Sequence, residues 1–151
     1  RGGPALAEGR GEVLTDLPPL PTCWVVLCKP DFGVPTAELF ARVHGEEISR
    51  RPDIDGMTEA LRAGSLDGVA ERLCNVFEEV LPPEMRREVR QIKEALLGCG
   101  ALNAAMSGSG PTVFGLFSAE EEATAALAGL GARYAQAYLA RPVGRLDGPA
   151  V

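Results

Sequence analysis

The chain has 151 residues, enough for one domain and an appendage, and 46% of them are hydrophobic. Aromatics are few (five Phe, two Tyr, one Trp), so Ala, Leu and Val must fill most of the interior. Fifteen basic residues against 21 acidic ones give a net charge of −6, which lacks the positive footprint of a nucleic-acid binder.

Residues 4–8 and 12–17 flank Gly9-Arg10-Gly11 and predict a hairpin with a Gly-containing loop. The "LPPLP" that follows, at 17–21, is a stiff linker. "CWVVLC" (23–28) is a continuous apolar run rich in β-branched residues, the pattern of a strand buried on both faces. After the loop 29–35, Thr36 is placed to cap a short helix whose Leu39, Phe40 and Val43 share one face. Residues 45–56 are polar and punctuated, the pattern of an irregular surface loop. A short helix is expected around Met57–Arg62, ended by Gly64. Leu66, Val69, Ala70, Leu73, Phe77 and Val80 then follow helical spacing as one long helix, capped by Ser65 and stopped by Pro82-Pro83. Pro83 opens the next helix, with Met85, Val89, Ile92 and Leu96 on its apolar face and glycines at 98 and 100 to end it. Its Arg86, Arg87 and Arg90 read as a solvated face. "ALNAAM" (101–106) and "TVFGLF" (112–117) predict two strands about a Ser/Gly loop. Ser118 and Glu121 form an S-x-x-E capping box for a last helix ending at Gly131, and 134–140 predicts a final strand. Strands joined by a tight loop, with helices in a block, predict an α+β two-layer sandwich and not a doubly wound sheet.

The remaining residues exclude several chemistries. Cys23, Cys28, Cys74 and Cys99 contain no C-x-x-C and His44 is the single histidine, so no metal site is expected. Cys23 and Cys28 fall on opposite faces of one strand and cannot bridge, so four reduced thiols in a cytoplasmic protein are expected. No stretch approaches a transmembrane span. The sequence opens at Arg1 without Met or a signal-like apolar run and reads as the interior of a longer protein. Lys29 and Asp31 follow a buried strand, a usual place for site residues and equally for solvated loop charges. Asn75 and Glu78 flank an apolar stripe, placed either to hold a loop by hydrogen bonds or to face water.

Ser107-Gly108-Ser109-Gly110 is the segment that asks for a function. No Lys follows a glycine pair as in a P-loop, and Asn103 stands where Gly98-Cys99-Gly100 would need a third glycine to bind a dinucleotide. What remains is a small, uncharged loop, longer than a minimal hairpin turn. Its glycines leave N–H groups uncovered, so it can be a bare turn or a wall that a ligand approaches.

"GALNAAMSGSGPTVFGLF" (100–117) resembles the third motif of the GHMP kinases. "GGPALAEGRGEVLTDLPPLP" (2–21), "WVVLCKPDFGVPTAELF" (24–40), "RRPDIDGMTEAL" (50–61) and "LCNVFEEV" (73–80) resemble further segments of that family in the same order. Together they resemble the branch that phosphorylates the 2-hydroxyl of a cytidine-diphosphate sugar alcohol on the non-mevalonate route to isoprenoids. The resemblance implies a ferredoxin-like two-layer sandwich, an antiparallel sheet with helices packed on it. It implies a hairpin and linker at 1–21 belonging to a missing N-terminal domain, and a C-terminal domain at 22–151. It places Ser107, Gly108, Ser109 and Gly110 near the phosphates and Pro52 on the substrate side. The resemblance further implies ATP and Mg2+ for the complete enzyme, with neither expected on this chain alone. The general-base Asp is expected upstream of Arg1, so no catalytic residue is assigned here. Another GHMP small-molecule kinase, or a non-catalytic ferredoxin-like binding domain, are the alternatives.

Overall fold

The computed structural model describes residues 3–33, 36–43 and 48–143; His44 lies outside the described residues. The elements are β1 (Ala5–Glu8), β2 (Val13–Asp16), β3 (Trp24–Lys29), α1 (Thr36–Arg42), α2 (Ile54–Arg62), α3 (Leu66–Glu71), α4 (Phe77–Val80), α5 (Pro83–Gly98), β4 (Asn103–Met106), β5 (Val113–Phe117), α6 (Glu120–Gly131) and β6 (Gln136–Ala140). The strands form an antiparallel pair, β1-β2, and a four-stranded antiparallel sheet in the order β4-β5-β3-β6. This is the expected α+β sandwich. The crossing order arises because β3 is followed by helices before β4, while β4 and β5 are joined directly.

Alternation along the strands decides what each face covers. Val113 and Phe117 of β5, with Val26 and Cys28 of β3, face the main core. There they meet Val89, Ile92 and Leu96 of α5 and Ala123, Ala126 and Leu130 of α6. Each of the three large α5 side chains contributes about 1.5–3 kcal/mol on burial. Gly115 is where α5 comes closest: a β-carbon there would stand 3.2 Å from Leu96 Cδ2. On the opposite face Leu116, Val25 and Phe114 pack with Ala60 and Leu61 of α2 and Val69 and Ala70 of α3. The strand at 24–29 is thus covered on both sides, more completely on the α5–α6 face. Cys23 belongs to the second cluster and Cys28 to the first, and all four cysteines are free thiols. The β1–β2 hairpin stands apart, with Val13 50% and Leu14 42% exposed; Leu17 and Leu20 tie the following linker to the second cluster. Among the described residues no helix is long and apolar enough to cross a membrane.

Four local expectations need correction. The long helix over Leu66–Val80 is two helices, α3 and α4, because Arg72 ends the first and the Asn75 side chain accepts from the Phe77 N–H at 3.0 Å to start the second. The loop at 45–56 gives way to helix at Ile54, since the Asp53 carboxylate caps α2 by accepting from the Gly56 N–H. The Ser118–Glu121 box does not form: α6 starts at Glu120 with Ala119 at its N-cap and no capping side chain. In α1, Phe40 is 63% exposed and only Leu39 is buried; Phe40 meets Phe77 edge-on, their ring centroids 4.9 Å apart.

Candidate active-site cleft

Main-chain bonds close the Ser/Gly loop from within. The Ser107 N–H donates to the Thr112 carbonyl at 2.8 Å and the Gly110 N–H to the Ser107 carbonyl at 2.9 Å, making a four-residue turn. Gly108 (φ +55°) and Gly110 (φ +78°) take the left-handed conformation that disfavours a β-carbon. The N–H groups of Gly108 and Ser109 have no partner among the described residues, so two adjacent donors remain for an anion.

Side chains from two helical segments hold the loop from outside. The Thr36 and Ser109 hydroxyl oxygens lie 2.9 Å apart and share a hydrogen bond. Thr36 is the first residue within α1 and not the flanking cap expected of it, and this bond fastens α1 to the loop. The Asn75 amide donates to the carbonyls of Met106 and Gly108, each at 2.7 Å. Glu78 accepts from the Met106 N–H at 2.7 Å while its other oxygen holds Lys93 at 2.5 Å. Of the two options open for Asn75 and Glu78, loop holding is the observed one.

A cleft of about 380 Å³ runs beside this assembly. Ser107 and Gly108 line one wall, Pro52 another, and Phe77, Phe114 and Met106 supply apolar lining. The structure thus brings the substrate-side candidate and half of the loop to one cavity; Ser109 and Gly110 stand in the loop beyond it. Lys29 and Asp31 are exposed, and Asp31 lines a different cleft with Glu88 and Tyr134. There the Tyr134 phenol donates to Glu88 at 2.5 Å, and burial, that bond and the Glu88 charge push its pKa up to about 12. Burial and Glu88 push the Cys28 thiol up to about 11, and burial also raises Cys23. All three groups stay protonated at neutral pH, and none is poised for acid–base work there.

Glu79 was not singled out by the sequence, and it fixes the Pro52 wall. Its carboxylate accepts from the Ser49 N–H at 2.7 Å and the Arg50 N–H at 3.0 Å. Arg86 donates to the Glu79 and Leu81 carbonyls and closes the end of α4. The Ser49 bonds first, then the Arg50 N–H and the Arg86 charge, hold the Glu79 pKa below the ordinary glutamate value. A depressed carboxylate pKa gives stability that is whole above the unfolded value and is lost as pH falls through the folded one. Accordingly, the Ser49 amide-proton shift should titrate below the ordinary glutamate range. A midpoint at the ordinary value would show that Glu79 does not hold this segment.

The family described as "GHMP kinases C terminal" matches residues 57–136, just over half of the chain. The chain belongs to the GHMP kinases. Among the relatives of this GHMP domain is the 4-diphosphocytidyl-2-C-methyl-D-erythritol kinase of Exiguobacterium sibiricum. It is 43% identical over 143 residues, covering 95% of this chain and 49% of that protein. The enzyme of the same name from Geobacillus kaustophilus is 41% identical, with the same coverage. The chain therefore spans about half the length of the curated relatives it matches. A solved 4-(cytidine 5'-diphospho)-2C-methyl-D-erythritol kinase superposes with a TM-score of 0.73 at 28% identity, over 93% of this chain and 50% of that one. The L. major mevalonate kinase superposes at 0.70 with 18% identity, over 95% of this chain and 49% of that one, a likeness of fold alone.

Proposed function

We propose that this GHMP domain is the C-terminal half of a cytoplasmic, ATP-dependent 4-diphosphocytidyl-2-C-methyl-D-erythritol kinase. The reaction moves the ATP γ-phosphoryl group to the 2-hydroxyl of the cytidine-diphosphate sugar alcohol, within isoprenoid biosynthesis. The observation that carries the reading is the 43% identity to a kinase of that name across 95% of the chain. The cleft supports it, since Ser107 and Gly108 of the Ser/Gly loop and Pro52 are two sides of one cavity. Residues 1–21 belong in this reading to the N-terminal domain, whose upstream part brings the general base and most phosphate contacts. Residues 22–151 form the C-terminal wall.

The loop fits a phosphate on its own chemistry. The unpartnered N–H groups of Gly108 and Ser109 and the exposed Ser107 hydroxyl are donors, no carboxylate lines the cleft beside Ser107 and Gly108, and a β-carbon at Gly108 would meet no atom within 4 Å. ATP with Mg2+ would supply the transferable phosphoryl group, and the donors of Ser107, Gly108 and Ser109 would hold its phosphates. This chain's part is to present donors, hold the loop still through Asn75, Glu78 and Thr36, and line the substrate cleft. The test is phosphate transfer by the full-length protein from ATP to the cytidine-diphosphate alcohol, with mevalonate and homoserine as competing acceptors. Transfer to the nucleotide alcohol alone is expected. Preference for either competitor would overturn the substrate assignment and keep the kinase.

A further inference from the structure

Asn75 occupies the break between α3 and α4, and its side chain makes three hydrogen bonds. Its oxygen starts α4 at Phe77, and its amide nitrogen holds the Met106 and Gly108 carbonyls. The peptide joining Gly108 to Ser109 is planar, so its C=O and N–H point in opposite directions. With the Gly108 carbonyl turned toward Asn75, the unpartnered Ser109 N–H is turned away from it. Glycine at 108 would let that peptide rotate, because it carries no β-carbon to restrict φ and ψ. Met106 cannot follow such a rotation, since Glu78 holds its N–H and Lys93 holds Glu78.

We propose that Asn75 is a positioning residue for phosphoryl transfer: it fixes the Gly108–Ser109 peptide so that the Ser109 N–H faces the phosphate side. This rests on the kinase reading of the loop. The aim of one donor matters because a misplacement of about 1 Å in such a site costs on the order of 100-fold in rate.

The capping and clamping roles of Asn75 separate by substitution. Asn75→Asp keeps an acceptor for the Phe77 N–H and loses both donations to carbonyls; Asn75→Ser does the same without adding charge. In the full-length protein each should lower kcat by about 10- to 100-fold, with both KM values changed less than about threefold. The melting temperature should stay within a few degrees. The Ser109 amide resonance, single in the parent, should broaden or double as the peptide samples two orientations. An unchanged kcat, an unchanged Ser109 resonance, or a fall of kcat in step with melting temperature would each overturn the proposal. If the parent protein transfers no phosphate to the nucleotide alcohol, the kinase reading fails by itself. The Ser109 resonance then decides whether Asn75 orients the peptide.

Discussion

Gly108→Ala in the full-length protein is expected to cut phosphoryl transfer by about 100-fold while costing little stability. The backbone at Gly108 has φ +55°, and a β-carbon there meets no atom within 4 Å. Its structural cost is the left-handed strain alone, about 1–2 kcal/mol, or roughly 2–8 °C in melting temperature. On the proposed reading of the loop, the new methyl group would project into the space the ligand takes. Gly110→Ala is the contrasting case. A β-carbon there runs into the Met106 side chain, which is 2% exposed, so overpacking of about 1–3 kcal/mol adds to the strain. Gly110→Ala should lose rate and stability together, whereas Gly108→Ala should lose far more rate than its strain alone explains. If Gly108→Ala keeps full rate, or loses it only as far as it unfolds, the loop is a connection and not a wall of the site.

The 151-residue chain by itself is expected to give no ATP-dependent turnover. Phosphoryl transfer depends on positioning and charge stabilisation, and orientation alone supplies about 7–11 kcal/mol in well-built sites. In the proposed reading this chain offers loop donors and a substrate wall, and it has no P-loop lysine after a glycine pair. Half of such a constellation should leave the rate at background. The measurement is label transfer from ATP to the cytidine-diphosphate alcohol by the folded, purified chain beside the full-length protein. Turnover above a host-kinase control would show that the site is complete within these residues.

The parts of the fold that were legible in sequence are those where one signal acted alone. Helix α5 carries an unbroken apolar spacing between Pro83 and Gly98, so period and punctuation agree. The run at 23–28 was legible because a central strand covered on both sides needs no alternation. The break in Leu66–Val80 was hidden because its apolar residues keep helical spacing across the gap. Each still faces a core, Val69 under the sheet and Val80 beside α5, although the backbone at 72–76 between them is not helical. What decides the break is Asn75 bonding to a strand end far along the chain, a tertiary effect that spacing cannot carry. The Ser118 box failed for the opposite reason: its residues match a local pattern that the backbone does not adopt. The loop at 107–110 was legible as a feature by composition, and its use rested on resemblance. Glu79 left no mark beyond being one of two adjacent acids, since its partners are backbone amides of a segment that has no pattern.

The position of β3 in the sheet sets the order in which the molecule can be built. Val25 pairs with Leu116 on one side and with Ala140 on the other. The sheet centre therefore waits for strands that leave the ribosome long after β3, while α2, α3 and α5 have only local bonds to make. Closing so long a loop adds little to the final free-energy cost, because that cost grows only with the logarithm of length. It does slow the search, because distant pairings must form before they are rewarded. During that interval β3, an apolar strand at the sheet centre, has both edges open, and a newly made chain depends on early helix packing against Val26 and Cys28 to keep it from pairing with another copy.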